Sequence, residues 1–315
     1  MGYMERKVAI AAVIVTYNRK KMLLDCLEAI KNQSFKPTTV YIVDNASTDG
    51  TEDCLIQNGY IDDNGPTVVV GIGFEYIKLR QNTGGAGGFY TGMKTANESG
   101  RFDGVWVMDD DGVPDKDCLK YLVEDLKHRD YVAPMVIAAE DKDFIAFPYY
   151  GTRYSIQKFK ELSENNFVKD FACPMNGVLF SKSLLDKVGY PIPNLFIWGD
   201  EQNLNMRCIE AGFRPVTDIR AIHYHPKDKY VTAKSLLGKE IVFVPQMWKG
   251  YCAYRNHIFN NHSNMSGYKL LKYYILHMYY FMIIKRSWKW MKCFTEAFFS
   301  GFKENPDDGF RKYMN

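Results

Sequence analysis

At 315 residues, with 46% hydrophobic and 24% charged residues, the chain has the make-up of a folded protein larger than one ordinary domain. Forty Lys and Arg against thirty-seven Asp and Glu leave a net charge of +3, too small for a general nucleic-acid binder, so no nucleic-acid partner is expected. Seven cysteines, scattered and without a C-x-x-C pair, exclude a zinc ribbon or disulfide framework and fit a reducing cytosol.

The run Val8 to Thr16, β-branched and alanine-rich, predicts a strand buried on both faces, and nothing before it has the length or cleavage site of a secretory signal. Asn18 is placed to cap a helix over 19–32, with Leu23, Leu27 and Ile30 on one side. A second buried strand follows at 40–43, and Asn45, Ser47 and Asp49 offer caps for a helix at 51–57. Residues 75–79 read as a third strand, Gly84 to Gly88 open a helix toward Glu98, and 104–108 is a fourth strand ending in Asp109, Asp110 and Asp111. From Tyr131 the pattern is mixed, with a strand at 177–180 and a helix at 200–211. Beyond Tyr230 the composition changes, and 268–299 is aromatic, Met-rich and studded with Lys272, Lys285, Arg286, Lys289 and Lys292. This divides the chain into a domain over 1–230 and a helical region over 231–315. The alternation of strand and helix predicts an α/β fold, a mainly parallel sheet with helices on both faces.

Ligands of such sheets bind outside the carboxyl ends of the strands, where the polar clusters of this chain fall. Three adjacent acids at a buried strand's end repel one another unless a cation neutralises them. Asp109 and Asp111 alternate and can face one side, an arrangement for Mn²⁺ or Mg²⁺ bridging to phosphates; as a solvated turn before Gly112 and Pro114 they would need no ion. Asn82-Thr-Gly-Gly-Ala-Gly-Gly-Phe89 precedes a helix, so Gly84, Gly85, Gly87 and Gly88 would let an anion approach backbone amides. A dinucleotide fingerprint would instead follow the first strand, which here ends in Thr16-Tyr17-Asn18-Arg19. Asp44 is placed to accept hydrogen bonds from a base or ribose, with Thr16 and Arg19 flanking the same crevice. Asp200 and Glu201 start a helix after Phe196-Ile-Trp-Gly199: helix-dipole placement explains acids there, and so does a general base beside a substrate ring. His223 and His225, two residues apart, would turn to one side, where one of them could complete a metal site.

Val13-Ile-Val-Thr-Tyr-Asn-Arg19, Val43-Asp-Asn-Ala-Ser-Thr-Asp-Gly50, the Asn82 to Gly88 segment, the Asp triplet and Trp198-Gly-Asp-Glu201 together resemble the inverting GT-A glycosyltransferases of family 2, over about residues 7–230. Within that family the pattern is most similar to bacterial galactofuranosyltransferases, and rhamnosyltransferases of polysaccharide assembly share much of it. The resemblance implies a GT-A fold and transfer of galactofuranose from UDP-galactofuranose to a lipid-linked glycan of cell-surface polysaccharide synthesis, or of rhamnose from dTDP-rhamnose. It implies that Thr16, Tyr17, Arg19, Asp44, Asn82, the glycines, Asp109 and Asp110 hold the nucleotide sugar. Asp109, Asp111 and His223 would bind the divalent ion, with His225 as the other candidate. Asp200 would be the catalytic base, with Glu201 beside it. Arg255 and Asn256, in Tyr254-Arg-Asn-His257, also resemble a short element of related transferases.

In the C-terminal region the longest apolar stretch, 273–284, is shorter than the roughly 20 residues that span a bilayer. Basic residues interleave with Trp288, Trp290, Phe294 and Phe298, as in helices lying on anionic lipid; a cap packed on the catalytic domain is the plainer account. The expectation is a cytoplasmic enzyme, peripheral at the inner face of the cell membrane, for which a homo-oligomer is compatible with the sequence. Two other classes fit less well. A sugar nucleotidyltransferase would need a Gly-rich basic loop after the first strand, and a non-catalytic glycan-binding protein would have no use for Asp109, Asp111, Asp200 and His223 together.

Overall fold

The computed structural model describes residues 8–62, 65–149, 151–173, 175–227 and 231–314. The chain divides into two units, Met1–Pro191 with Leu204–Asp228, and Ile192–Asn203 with Lys229–Asn315. Besides the C-terminal region, the second unit takes Ile192–Asn203, a segment that composition alone assigns to the first domain. The expected boundary at residue 230 lies outside the described residues.

The first unit opens with β1 (Ile10–Thr16), α1 (Lys20–Lys31), β2 (Thr39–Asp44), α2 (Thr51–Gln57), β3 (Thr67–Val69), β4 (Ile72–Lys78), α3 (Gly84–Glu98) and β5 (Gly104–Asp109). It continues with β6 (Val113–Pro114), α4 (Cys118–Leu126), β7 (Tyr131–Ala138), α5 (Ile156–Glu161), β8 (Phe167–Lys169), β9 (Asn176–Ser181) and α6 (Lys182–Val188). From Leu204 it includes α7 (Asp200–Glu210), and then β10 (Val216–His225). The strands form one sheet in the order β3-β4-β2-β1-β5-β9-β7-β10-β6, with β8 on β10.

The sheet is mixed: six strands share one direction, as expected, and antiparallel strands join them. β4, β2, β1 and β5 run parallel, joined by helical crossovers. β7 returns through α4 in the direction of β5, and β9 fills the place between them antiparallel to both. The Asp-bearing end of β5 still falls within the parallel part, beside the ends of β1 and β2. Val15 pairs with Asp109 and Thr16 with Asp44, so three polar turns leave the sheet side by side.

β1 is buried along its whole length because helices cover both of its faces. Ile10, Ala12 and Ile14 meet Leu23, Leu27 and Ile30 of α1 with Leu119 and Leu122 of α4. Ala11, Val13 and Val15 meet Phe89, Met93 and Ala96 of α3. Each fully buried Leu, Ile or Phe contributes about 1.5–3 kcal/mol. That anchors β1 and leaves only its last residue and the turn beyond it for chemistry.

The second unit holds a hairpin of β11 (Val231–Lys234) and β12 (Glu240–Phe243), then α8 (Met247–Asn261), α9 (Gly267–Tyr279) and α10 (Trp288–Ser300). Its core is aromatic: Trp290 stacks on Phe281 with ring centroids 5.3 Å apart, and His277 on Phe294 at 4.8 Å. Of the aromatics expected at a lipid interface, Trp290, Phe294 and Phe298 are therefore buried, and Trp288 alone is exposed, at 81%. The reason is periodicity. Residues 290, 294 and 298 recur every four positions and share one stripe of α10, which turns into the core.

Candidate active site

The turn after β1 and the triplet after β5 are tied together by polar bonds. Thr16 Oγ1 donates to Asp110 Oδ2 at 2.8 Å. Arg19 Nη1 donates to Asp110 Oδ1 at 3.1 Å and to Asp111 Oδ2 at 2.8 Å. Asp110 is buried, and burial pushes its carboxyl up to about 6 against the pull of Arg19 and the Thr16 hydroxyl. It fastens one turn to the other, while Tyr17 lies partly in solvent, at 43% exposure.

The flanking acids meet a histidine. One ligand atom each from Asp109, Asp111 and His225 lie within 4.8 Å of one another, and His225 Nε2 stands 3.2 Å from Asp111 Oδ1. Burial and then the charge of Asp111 push Asp109 up to about 8. Burial also works against the charged forms of the other two, but Asp111 and His225 outweigh it for each other, lowering the acid and raising the imidazole. The donor chemistry fits a divalent cation. Two carboxylates and an imidazole supply hard and borderline donors, and added positive charge would relieve the enforced protonation of Asp109.

The histidine that the structure brings into this group is His225, where the sequence puts His223 first and His225 second. The His223 ring is fully buried between two glycines: a Cβ on Gly112 would lie 2.4 Å from Nε2, and one on Gly177 2.8 Å from Nδ1. Burial lowers its pKa to about 3, so the ring is neutral. Both histidines alternate onto one side of β10, but His223 sits one pair deeper, opposite Pro114, and His225 reaches the rim.

Asp44 is buried at the end of β2 with both oxygens engaged. Oδ1 accepts the Ser47 N–H at 2.8 Å, and Oδ2 accepts the Tyr76 hydroxyl at 2.6 Å. Its neighbour Asn45 does something that capping rules do not suggest. Asn45 Oδ1 accepts the Thr83 N–H at 2.8 Å and Nδ2 donates to the Gly84 carbonyl at 2.6 Å, clamping the glycine segment to the end of β2. The helix α2 is preceded by Gly50 at φ 81°, not by an Asn, Ser or Asp cap. Asn18 likewise does not cap α1. It adopts φ 54°, and its Oδ1 accepts the Thr48 N–H at 2.7 Å, bracing the turns after β1 and β2 against each other.

The glycine segment divides by role. Gly84 takes φ 71°, the turn into α3, with its N–H on Asn82 Oδ1 at 2.8 Å. A Cβ on Gly88 would lie 2.4 Å from Val15, and one on Gly87 2.3 Å from Thr83, so these two serve close helix packing rather than an anion cradle. A Cβ on Gly85 would meet nothing within 4 Å, which leaves Gly85 as the part of the segment open to a ligand, while Gly84 is buried with its N–H and carbonyl taken by Asn82 and Asn45.

Asp200 and Glu201 belong to the second unit. Asp200 is buried at the first position of α7. Glu201 Oε2 accepts the Gly199 N–H at 3.0 Å, so it is used as a local cap.

Residues 11–189 match the family profile described as glycosyl transferase family 2. Galactofuranosyltransferase GlfT1 of Mycolicibacterium smegmatis is 31% identical over 231 residues, 69% of this chain and 70% of that protein. Galactofuranosyltransferase GlfT1 of Mycobacterium tuberculosis is 29% identical over 297 residues, 90% of this chain and 93% of its own length. Among solved structures, S. aureus TarS 1-349 in complex with UDP-GlcNAc has a TM-score of 0.55 at 15% identity, covering 94% of this chain and 82% of that one. Mannosyltransferase PcManGT from Pyrobaculum calidifontis, in complex with GDP-Man and Mn²⁺, has a TM-score of 0.55 at 15% identity, covering 93% and 74%. At such identities the two structures speak for the fold, which is the expected GT-A arrangement.

Proposed function

The chain belongs to glycosyl transferase family 2, and from that premise we propose that it is a metal-dependent, inverting galactofuranosyltransferase extending a lipid-linked glycan. Glycosyl transfer follows from the family; donor, acceptor and metal are the proposal. Support for UDP-galactofuranose comes from the relatives named as galactofuranosyltransferases, one of them matched along 93% of its length.

The observation that carries the reading is the grouping of Asp109, Asp111 and His225 at the end of β5. These three residues would hold a divalent cation, whose positive charge would stabilise the departing diphosphate. Thr16, Tyr17, Arg19 and Asp44 are assigned to the nucleotide, and Asn82 and Gly85 to the sugar diphosphate. Asp200 takes the proton from an acceptor hydroxyl. The hydroxyl oxygen bonds to the anomeric carbon from the face opposite the nucleotide. The bond from that carbon to the diphosphate oxygen breaks, and its electron pair leaves with the nucleoside diphosphate. A single displacement inverts the configuration.

An acceptor on a lipid carrier needs its enzyme at a membrane surface. Among the described residues no helix is long and apolar enough to cross a membrane. Instead Leu271, Ile275, Met282, Ile283, Ile284 and Trp288 are exposed, among exposed Lys285, Arg286 and Lys289. That apolar and basic face is assigned to the anionic cytoplasmic leaflet.

The test is a donor screen with purified enzyme, Mn²⁺ and a panel of alkyl glycoside acceptors. UDP release from UDP-galactofuranose, abolished by EDTA, is the expected result. Release of dTDP from dTDP-rhamnose alone would replace the donor assignment. Asp200→Ala should abolish transfer while UDP still binds.

A further inference from the structure

The segment that leads into Asp200 has an unusual backbone. Phe196 and Trp198 adopt φ values of 68° and 59°, and Gly199 one of 97°. Two aromatic L-residues in the left-handed region within three positions are costly, on the order of 1 kcal/mol or more each. Such a path persists only where the surroundings dictate it.

Those surroundings are three polar side chains of α8. The Asn256 side-chain amide nitrogen stands 2.9 Å from the Leu195 carbonyl, 3.0 Å from that of Ile197 and 2.7 Å from that of Trp198. Asn260 Nδ2 donates to the Gly199 carbonyl at 2.7 Å, and Asn203 Nδ2 donates back to Asn260 Oδ1 at 3.1 Å. Arg255 Nε donates to Asn256 Oδ1 at 2.9 Å, which fixes the amide the right way round. Its Nη2 donates to the carbonyls of Leu195 at 2.8 Å and Asn194 at 3.1 Å, and its Nη1 to that of Asp307. Arg255 and Asn256 are both 0% exposed. A fully buried guanidinium that spends these hydrogen bonds on carbonyls and an amide is an expensive way merely to fill a core. The fit is also tight: a Cβ on Gly199 would lie 3.0 Å from that of Asn256.

We propose that Arg255 and Asn256 are positioning residues, which hold the 194–199 turn so that Asp200 is presented in one fixed orientation at the start of α7. The inference rests on Asp200 being the base. α8 thereby serves the reaction without a side chain that touches substrate, and the sequence element Tyr254-Arg-Asn-His257 has a function in the second unit.

The experiment compares Asn256→Ala, Asp200→Asn and the double variant, using UDP-galactofuranose and the alkyl glycoside acceptor selected by the donor screen. Asn256→Ala should lower kcat by about 100-fold, the penalty typical of a base misplaced by about 1 Å, while UDP binding is unchanged. In the Asp200→Asn background it should cost nothing further, because it acts through Asp200; a merely structural role would give additive losses. Amide hydrogen exchange should quicken at 195–203 and remain as in the parent across α9 and α10. If Asn256→Ala yields no folded protein, Arg255→Lys takes its place, keeping the charge but losing the Nε donor to Asn256 and the forked grip on the carbonyls. A folded variant with parental kcat, or additive losses in the double variant, overturns the positioning role. Turnover near the parental rate in Asp200→Asn alone overturns the assignment of the base, a separately readable result; the residual rate expected there is the baseline for the double variant.

Discussion

At the scale of single residues, the two histidines of β10 show how much one strand pair decides. Alternation puts both on one side, and residue type alone cannot say which reaches the acids. Burial decides it: His223 is sealed between Gly112 and Gly177, and His225 stands against Asp111. His225→Ala should therefore weaken Mn²⁺ binding by about 10–100-fold, measured by titration calorimetry, with little change in melting temperature. His223→Ala should do the reverse, leaving Mn²⁺ affinity near parental and costing about 2–4 kcal/mol through an empty slot in the sheet. Loss of Mn²⁺ affinity in His223→Ala with none in His225→Ala would contradict the assignment. The grouping of Asp109 and Asp111 was suggested by the sequence because three carboxylates in a row after the apolar Val105-Trp-Val-Met108 run repel one another unless positive charge neutralises them. Asn45 was not, since an Asn in a turn reads as a cap, and its bonds to Thr83 and Gly84 span 38 and 39 positions that no local rule connects.

At the scale of elements, the strands and helices up to β5, except the short edge strand β3, were readable because each carries its own period and is bounded by Gly, Pro or acids. The antiparallel entry of β9 was not, because the direction in which a buried apolar strand joins its neighbours leaves no trace in its own residues. The glycines of α3 show the same limit: all look alike in sequence, yet they do different things in place. Gly88→Ala should destabilise the fold by about 1–3 kcal/mol, read by thermal melting, because its Cβ would collide with Val15 of β1. Gly85→Ala has open space, so it should melt within about 0.5 kcal/mol of the parent and raise the KM for donor instead. A second prediction belongs to the contact of α4 with β10. Asp125, with Asp218 beside it and Arg220 bridging the two at 3.2 Å and 2.7 Å, is pushed up to about 7 by burial first and then by the hydrogen bond and charge of Asp218. An unfolded Asp titrates near 4, so folding takes up a proton between about pH 4 and pH 7. The stability this group contributes is present below that window and is lost as pH rises through it. Melting temperature should fall less steeply from pH 5 to pH 7 in Asp125→Asn, and identical slopes would mean that Arg220 keeps Asp125 charged.

At the scale of the whole molecule, the exposed face of α9, α10 and the turn between them is where a membrane would be met. The sequence singled out this region through its aromatic residues, because such side chains look interfacial wherever basic ones lie near, and only packing tells which stripe of a helix is free. Trp290, Phe294 and Phe298 lie in the core, leaving Trp288 with Leu271, Ile275 and Met282–Ile284 outside. An apolar face of that kind gains by entering a headgroup layer, and each nearby Lys or Arg adds about 1 kcal/mol on an anionic surface. The protein should co-sediment with vesicles containing phosphatidylglycerol and remain in solution with phosphatidylcholine alone. Added salt should release it, since the Debye length shrinks to about 3 Å at 1 M. Lys285→Glu with Arg286→Glu should weaken vesicle binding by about 1000-fold, as expected for about 1 kcal/mol per charge and twice that for a reversal. Ile283→Asp should weaken it at every salt concentration, since it removes the apolar contribution rather than the charge. Both variants should turn over a short alkyl glycoside at the parental rate, because none of these residues is assigned to donor, metal or base. Equal binding of parent and variants to both kinds of vesicle would mean that this face meets no membrane.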